Sequence, residues 1–185
     1  DTNSLLPTNI DNHGLDIHYT YDSRGNVKTK QIENNEEEKF WYDSDNNLTH
    51  YRDSNGNDTY FNYDNDNNLI SVKDALNNFV YFNYDSHGQV LSVTNQESIT
   101  INYTYENDGA LQTTSAPEDL TSSFNYDGVN RLTSQTVNGQ TSYVAYDPND
   151  NITSQINIGG LTTTFDYDAN DNLVSITNAN GVATT

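Results

Sequence analysis

The chain has 185 residues, no cysteine and a formal net charge of −20, and only 32% of its residues are hydrophobic. That charge excludes a basic surface for nucleic acid and docking on anionic lipid, and no apolar run approaches the ~20 residues of a membrane span. The absence of cysteine excludes disulfides, thiol nucleophiles and cysteine-based zinc sites. Low hydrophobicity with high charge is also typical of disordered chains, so order depends on how the residues are arranged.

A tyrosine followed by an acidic residue recurs along the chain at intervals of 21 residues, with one interval of 20. A period of this length is typical of repeat proteins. We call these residues the column tyrosines: Tyr21, Tyr42, Tyr63, Tyr84, Tyr105, Tyr126, Tyr146 and Tyr167. Two residues before each of them stands an aromatic residue or a valine, and the phenylalanines in this position are Phe40, Phe61, Phe82, Phe124 and Phe165.

The first element of each repeat is therefore a predicted strand, since an aromatic-x-Tyr alternation places both rings on one face. Four residues after each column tyrosine stands Gly, Asn or Asp, with glycine at Gly25, Gly88 and Gly109. These residue types enter the left-handed backbone region most easily. The pattern predicts a tight turn after each column tyrosine, with a positive φ at this position.

The second element is a strand that begins at an aliphatic residue six positions after each column tyrosine. The leucines in this position are Leu48, Leu69, Leu111, Leu132 and Leu173. A second turn follows fourteen residues after most column tyrosines, and its glycines include Gly56, Gly160 and Gly181. Gly139 comes one place early, so we expect the deletion in the 20-residue interval to precede it. Each repeat is predicted to be two short strands and two turns, without helix.

One such repeat cannot bury its apolar face alone, but stacked repeats would form an interior ladder of Tyr, Phe and Leu. The sequence therefore predicts an all-β protein, with tandem 21-residue β-hairpin repeats forming a spiral or solenoid-like sheet or part of a hollow β-shell. The register continues to Leu6 and Gly14. We therefore predict a single array of about nine repeats over residues 1–185, open at both ends.

The repeated pattern resembles the YD-repeat, or RHS-repeat, family. Typical units are Tyr63-Asp-Asn-Asp-Asn-Asn-Leu69 followed by Phe82-Asn-Tyr-Asp85, and Tyr21-Asp-Ser-Arg-Gly-Asn-Val27. In that family the repeats wind into a spiral of β-hairpins that forms a hollow shell. Such shells belong to insecticidal toxin complexes, RHS and wall-associated polymorphic toxins, and teneurins. The family's self-cleaving aspartate core has no counterpart that we identify in this sequence.

The resemblance implies a non-enzymatic structural segment of a secreted or cell-surface protein, forming the wall of a β-shell that encloses or displays another domain, as in toxin delivery. Two alternatives remain open: a self-assembling extracellular filament or tube subunit, and a glycan-binding adhesin or cell-adhesion segment. The expected partners are neighbouring repeats of the same polypeptide or identical subunits joined end to end. An enclosed effector domain or glycans are further candidate partners, and neither nucleic acid nor a membrane span is expected.

Metal binding and catalysis find little support in the sequence. Residues 43–47, 64–68 and 168–172 begin like a calcium loop, but no glutamate closes any of them. We expect no cofactor beyond weak Ca²⁺ binding to an acidic surface. The four histidines, His13, His18, His50 and His87, share no metal-binding spacing. No catalytic motif is present, so no enzymatic activity is expected.

A group of aromatic residues lies off the main aromatic columns. Its members are Trp41, Tyr51, Tyr60, Tyr81 and Tyr143. Exposed rings of this kind would suit stacking on sugars, whereas rings paired across neighbouring strands would only support the sheet. We favour the second interpretation from the sequence alone.

Overall fold

The structure is a computed structural model that describes residues 8–12 and 15–184. The expectations for Leu6, His13 and Gly14 lie outside these described residues. Every regular element among the described residues is a β-strand, which confirms the all-β prediction. The chain divides into two compact units, Asp1–Ile99 and Thr100–Thr185.

The described residues of unit 1 form nine strands, and each strand pairs antiparallel with the next one in the chain. Because sequential strands are neighbours, all pairings are local hairpins. The strands are β1 Asn9–Asn12, β2 Leu15–Tyr21, β3 Val27–Ile32, β4 Glu38–Tyr42, β5 Leu48–Arg52, β6 Asp58–Tyr63, β7 Leu69–Lys73, β8 Phe79–Tyr84 and β9 Val90–Thr94.

Residues 100–184 of unit 2, which the structure describes, repeat the same arrangement with nine further strands, again paired antiparallel in chain order. The strands are β10 Thr100–Tyr105, β11 Leu111–Ala116, β12 Leu120–Tyr126, β13 Leu132–Val137, β14 Gln140–Tyr146, β15 Ile152–Ile156, β16 Thr162–Tyr167, β17 Leu173–Thr177 and β18 Ala183–Thr184.

The repeat columns of the sequence coincide with the ends of the strands. Each of the eight strands β2, β4, β6, β8, β10, β12, β14 and β16 ends at a column tyrosine, and the strand after each begins at the aliphatic residue six positions later. The turn between them has a positive φ at its fourth residue in every repeat, for example 90° at Gly25, 79° at Gly88 and 92° at Gly109. The asparagines and aspartates in this position also have a positive φ, between 61° and 71°.

A β-bulge follows each of these turns. In the β6–β7 hairpin, Tyr63 lies opposite Leu69 while Asn62 lies opposite Ser71, so Ile70 is the extra residue. The same shift occurs beside all eight column tyrosines. A bulge increases the local right-handed twist of the sheet. Its position next to the tyrosine fixes the register of both strands in every repeat.

The two faces of each sheet carry different side chains. We call the side that bears the column tyrosines and the aromatic residues two positions before them the ladder face. The other side, the opposite face, bears the residue just before each column tyrosine. In β6, Phe61 and Tyr63 on the ladder face are half-buried, whereas Tyr60 and Asn62 on the opposite face are exposed.

The described residues of the two units form no buried hydrophobic core. Among the described residues no hydrophobic side chain is buried, and the two buried residues are Ser71 and Ser134, each 8% exposed. Each unit is therefore a single layer of sheet. The expected ladder of Tyr, Phe and Leu lies on one face, as its alternation implies, but neighbouring side chains cover it only in part. We expected this ladder to lie in an interior, but the described residues of this chain do not enclose it.

The one short interval of the repeat has a clear local cause. Between β13 and β14 the chain turns through Asn138 and Gly139 alone, with φ values of 49° and 80°, and Val137 lies opposite Gln140. Other second turns use a longer loop, such as residues 53–57 between β5 and β6. The two-residue turn is compensated in part by longer flanking strands, so the repeat loses a single residue.

Candidate functional site

The acidic residue after each column tyrosine organises the first turn. In the Asp64 loop, one carboxylate oxygen accepts the backbone N–H groups of Asp66 and Asn68, both at 2.9 Å, and the other accepts the Asn68 side-chain amide at 3.0 Å. The same carboxylate contacts occur at Asp22, Asp43, Asp147 and Asp168. This Asx-type closure satisfies backbone donors that the turn would otherwise leave unpaired.

These hydrogen bonds stabilise the ionised carboxylates. The Asn68 side chain and backbone N–H hold the pKa of Asp64 below its usual value, and Asn172 does the same for Asp168. The second turns are stabilised by the same hydrogen bonds, since the Asn57 and Asn78 amides lower the pKa of Asp53 and Asp74. Many of the 27 acidic residues are therefore structural parts of turns.

Glu106 is the exception among the acidic residues that follow the column tyrosines. In its loop the backbone N–H of Ala110 is accepted by Asp108 at 3.1 Å, while the Glu106 carboxylate accepts the side-chain amide of Gln112 at 2.8 Å. Glutamate has one more methylene than aspartate, so its carboxylate lies too far out to close the turn.

Five of the column tyrosines join their repeat to the one before it. The hydroxyl of Tyr63 donates to the backbone carbonyl of Leu48 at 3.0 Å, and that of Tyr84 donates to Leu69 at 2.8 Å. The same bond is made by Tyr126, Tyr146 and Tyr167 to Leu111, Leu132 and Ile152. Burial, together with the nearby Asp43 carboxylate, raises the pKa of Tyr63, which keeps its hydroxyl protonated as a donor.

Neighbouring first turns also contact one another along one edge of the sheet. The side-chain amide of Asn26 donates to Asn46 at 2.8 Å, and that of Asn47 donates to Asn67 at 2.7 Å. In unit 2, Arg131 donates to the Asp150 carboxylate at 2.6 Å and stacks over the Tyr146 ring at 4.7 Å. This edge is thus a chain of polar side chains that links successive repeats.

The ladder residues predicted from the sequence lie together on the ladder face. All eight column tyrosines and the five column phenylalanines are half-buried, as are Leu48, Leu69, Leu111 and Leu132, whereas Leu173 is 49% exposed. The predicted second-turn glycines Gly56, Gly160 and Gly181 have φ values of 85°, 76° and 74°. Asn35 also stands fourteen residues after a column tyrosine, Tyr21, but in its turn the positive φ falls on Glu33 instead.

Tyr51 was grouped with the off-column aromatics, and the structure corrects that position. It lies opposite Phe40 in the β4–β5 hairpin, with ring centroids 5.1 Å apart. It is half-buried on the ladder face, in the position that Val72 and Val93 occupy in later repeats. Tyr51 is therefore part of the ladder.

The opposite face carries a polar pair that recurs from repeat to repeat. The residue before the column tyrosine bonds across to the second strand of the hairpin, as in Asn62 to Ser71 and Asn125 to Ser134, both at 2.9 Å. Thr20 with Thr29, Asn83 with Ser92, Thr104 with Thr113 and Asp166 with Ser175 make equivalent pairs.

One repeat replaces this polar pair with two rings. Trp41 stacks on His50 with centroids 4.0 Å apart, and His50 stacks on Tyr60 at 4.5 Å. The Lys73 ammonium then lies 5.7 Å from the Tyr60 ring and 5.8 Å from the Phe79 ring. We call these five residues of β4–β8 the Trp41 row. The cross-strand pairing favoured from the sequence is present here, although Trp41 and Tyr60 remain 41% and 40% exposed.

A charged group supports the centre of the Trp41 row. The Asp58 carboxylate accepts two hydrogen bonds from Arg52, at 2.7 and 2.8 Å, and lies 2.6 Å from His50 Nε2. These contacts with Arg52 and then His50 hold the pKa of Asp58 far below its usual value. His50 is thereby fixed in position between two rings. Sequence reasoning missed this role for His50 because the contact depends on the strand register.

The structure brings no metal-binding cluster together in the described part of the chain. No group of three or more metal-ligating side chains that could hold an ion occurs among the described residues. Asp43, Asp64 and Asp168, which begin the three calcium-like loops, bind the N–H groups of their own turns. His18, His50 and His87 lie in different repeats, and His87 is 81% exposed.

The fold and the repeated Tyr-Asp corner define a tandem β-hairpin repeat protein. The family described as Teneurin YD-shell matches residues 7–143, and the family described as RHS Repeat matches residues 146–183. Since the first match alone covers more than half of the chain, this protein belongs to the YD-shell family. The YD-repeat resemblance noted from the sequence is thereby confirmed. No curated protein sequence matches the chain.

Solved structures share the fold. The chain is similar to the Photorhabdus luminescens Tc holotoxin pore carrying the TccC3-D651A mutation, with 15% identity and a TM-score of 0.75 over 89% of this chain. The crystal structures of TcdB2-TccC3-Cdc42 and TcdB2-TccC3 match at 16% and 15% identity, with TM-scores of 0.73 and 0.75 over 89% and 88% of this chain. The matched region spans 11% of each of those chains. Among the described residues no helix is long and apolar enough to cross a membrane.

Proposed function

We propose that this chain is a non-enzymatic wall segment of a β-shell in a secreted or cell-surface protein, where the shell encloses or displays another domain as in toxin delivery. The observation that carries the proposal is the single-layer sheet. Its ladder face presents aromatic and aliphatic side chains that the described part of the chain covers only in part. A soluble protein rarely leaves such an apolar face open to water.

In a closed shell the ladder face would no longer be open to the surrounding water. If the ladder face lines the enclosed space, its rings face a confined interior, while the opposite face and the turns meet the surroundings. Membership of the YD-shell family and the likeness to Tc toxin structures support this arrangement. The enclosed domain, the extracellular location and the lack of catalytic activity are part of the proposal.

The two faces can be tested with neighbouring residues of one strand, because the chain has no native cysteine. Thr114 lies opposite Tyr103 on the ladder face, and Thr113 lies opposite Ser123 on the opposite face. Thr114→Cys and Thr113→Cys would be made in the complete natural polypeptide that carries this segment, and in the segment alone. A bulky maleimide reagent then reports access to each side.

We expect both cysteines to react in the isolated segment, and only the cysteine at position 113 to react in the complete polypeptide. Cryo-electron microscopy of the same polypeptide should show the segment in the wall of a closed cavity. Equal reactivity of the two cysteines in the complete polypeptide, or images without a cavity, would overturn the proposal.

A further inference from the structure

Three asparagines in this chain are followed directly by glycine: Asn55, Asn138 and Asn180. An Asn-Gly pair is the most reactive context for spontaneous deamidation, because glycine has no side chain to hinder its own backbone nitrogen. In that reaction the backbone nitrogen of the residue after the asparagine attacks the side-chain carbonyl carbon. All three asparagines are exposed, so access to water does not distinguish them.

The three pairs differ in the hydrogen bonding of the attacking nitrogen. The backbone N–H of Gly56 donates to the carbonyl of Asp53 at 3.1 Å, and that of Gly181 donates to the carbonyl of Asn178 at 2.9 Å. Each of these nitrogens is held in a closed turn, and the turn must open before the nitrogen can reach the preceding side chain. The backbone N–H of Gly139, in contrast, makes no hydrogen bond to the described residues.

This difference follows from the length of the turn. Asn138 and Gly139 are the two central residues of the β13–β14 hairpin, and the flanking residues Val137 and Gln140 lie opposite each other. The φ values of 49° and 80° are those of a type I′ turn, whose closing hydrogen bond is made by the flanking residues. The N–H of the second central residue is therefore left free. Apart from its chain neighbours, no atom lies within 4 Å of the place that a Cβ on Gly139 would take.

The side-chain carbonyl of Asn138 is also prepared for attack. Its Oδ1 accepts the backbone N–H of Thr121, on strand β12, at 3.1 Å. Attack on the carbonyl carbon turns this oxygen into an oxyanion, and a backbone N–H already bonded to it stabilises the developing negative charge. Asn138 thus combines a free nucleophile in the next residue with a donor for the oxyanion.

We propose that Asn138 is a site of spontaneous succinimide formation and deamidation in the folded protein. The Gly139 nitrogen forms a bond to the side-chain carbonyl carbon of Asn138, and the bond from that carbon to Nδ2 breaks. The proton of the Gly139 N–H leaves with the side-chain amide as ammonia, so the step needs neither an oxidant nor an enzyme. Water then opens the succinimide at one of its two carbonyls, which yields aspartate or isoaspartate at position 138.

The isoaspartate product changes the β13–β14 hairpin. Isoaspartate routes the backbone through the side-chain carbons, so the two-residue turn gains one backbone atom. The register of a hairpin is set by the length and type of its turn. The turn therefore cannot take up the extra atom without displacing Val137 from Gln140, and we expect this hairpin to lose protection from hydrogen exchange as the protein ages.

The whole chain contains its own controls. We would incubate it in mildly alkaline buffer, both folded and in concentrated guanidinium chloride, and follow the three Asn-Gly pairs by peptide mapping with mass spectrometry. In the denaturant the three pairs should deamidate at similar rates, because glycine follows the asparagine in each. In the folded chain Asn138 should react about tenfold faster than Asn55 and Asn180, since a hydrogen bond to the turn carbonyl lowers the population of free N–H by up to about that factor.

Matched variants connect the reaction to the hairpin. Asn138→Gly removes the reactive amide and leaves Gly-Gly, which type I′ turns also accept, so β13 and β14 should keep their exchange protection after incubation. Asn55→Gly should leave the loss at β13 and β14 as it is in the parent chain. If Asn138→Gly does not fold, the three rates within the parent chain decide the question. Equal rates in the folded chain, a faster reaction at Asn55 or Asn180, or no reaction at any of the three would overturn the proposal.

Discussion

The two units of this protein share one face and differ on the other. On the ladder face, Tyr63 bonds to the carbonyl of Leu48 in unit 1 just as Tyr146 bonds to that of Leu132 in unit 2, both at 3.0 Å. On the opposite face both units carry polar pairs, such as Asn62 with Ser71 and Thr136 with Thr141, but among the described residues only unit 1 also carries a row of stacked rings, the Trp41 row. The ladder face and the turns therefore build the sheet, and the opposite face is free to vary.

The positively charged residues are also distributed unequally between the two units. Six of the seven lysines and arginines lie in residues 1–99, and Arg131 is the remaining one. Three of them, Lys39, Arg52 and Lys73, lie on the same face as Trp41, given the strand pairings of β4–β7. A repeat scaffold of this kind can thus carry a local, chemically distinct surface without altering the contacts that hold its strands together.

The largest expected effect is the response to acid, because it acts at many turns at once. Six turn aspartates with a lowered pKa lie in unit 1 and three in unit 2, counted over the described residues. A lowered folded-state pKa stabilises the fold above the unfolded value of ~3.9, and this stabilisation is lost as pH falls through the folded-state pKa. We therefore expect unit 1 to lose more protection than unit 2 below about pH 4.

Hydrogen exchange followed by mass spectrometry on the whole chain, at neutral pH and at decreasing acidic pH, measures this difference. Asp64→Asn should reduce the acid sensitivity of its own hairpin. Asp66→Asn is the control, since the Asp66 carboxylate accepts no hydrogen bond from the described residues. Equal loss of protection in both units would show that the turn carboxylates do not govern acid stability.

Truncation of the ladder should affect both units equally. Tyr63→Ala and Tyr146→Ala each remove a half-buried ring and its bond to the preceding repeat. We expect each to lower the free energy of unfolding by about 2–3 kcal/mol, less than the ~3–5 kcal/mol typical of a fully buried aromatic. Urea denaturation measures this, with Tyr143→Ala on the opposite face as a control. A large effect in one unit alone would contradict the claim that the ladder face holds both units together in the same way.

The turns should again behave alike. Gly88 has a φ of 79°, and a Cβ there would meet only the Asn68 side chain at 3.6 Å, so space is available and the backbone conformation sets the cost. Gly88→Val should destabilise by about 1–2 kcal/mol, and Gly88→Asn by less. Asn130→Val, at a φ of 64° in unit 2, should cost the difference between Gly88→Val and Gly88→Asn, because asparagine already bears part of the left-handed strain. If valine and asparagine are tolerated equally at position 88, left-handed backbone strain does not determine which residue types occur at this turn position.

The smallest effects are expected on the opposite face. Asn62→Ala and Asn125→Ala each remove one cross-strand hydrogen bond and should cost about 0.5–1.5 kcal/mol. Trp41→Asn/His50→Ser exchanges ring stacking for such a bond, so the melting temperature should stay close to that of the parent chain. A collapse of stability in this double variant would mean that the Trp41 row holds unit 1 together.

Much of the fold could be predicted from the period alone. The sequence columns locate the end of β6 at Tyr63, the start of β7 at Leu69 and the left-handed turn residue between them, because strand alternation and turn chemistry are local properties. The single uninterrupted array of about nine repeats remains a prediction.

The opposite face could not be predicted in the same way. Trp41, His50 and Tyr60 come together only through the register of two successive hairpins, and that register depends on the bulge beside Tyr42. A bulge cannot be recognised from the pattern of hydrophobic and polar residues in the sequence. The same shift places Tyr51 against Phe40, which explains why the sequence columns did not identify Tyr51 as a ladder residue.

The tyrosine hydroxyl bonds also bear on the order in which the repeats fold during synthesis. The carbonyl of Leu48 is completed by Tyr63, and that of Leu69 by Tyr84, each 15 residues further along the chain. At a synthesis rate of ~5–20 residues per second, such a carbonyl waits about 1–3 seconds for its donor to be made. The repeats that make this bond can therefore close in their order of synthesis, each completed by the strand that follows it.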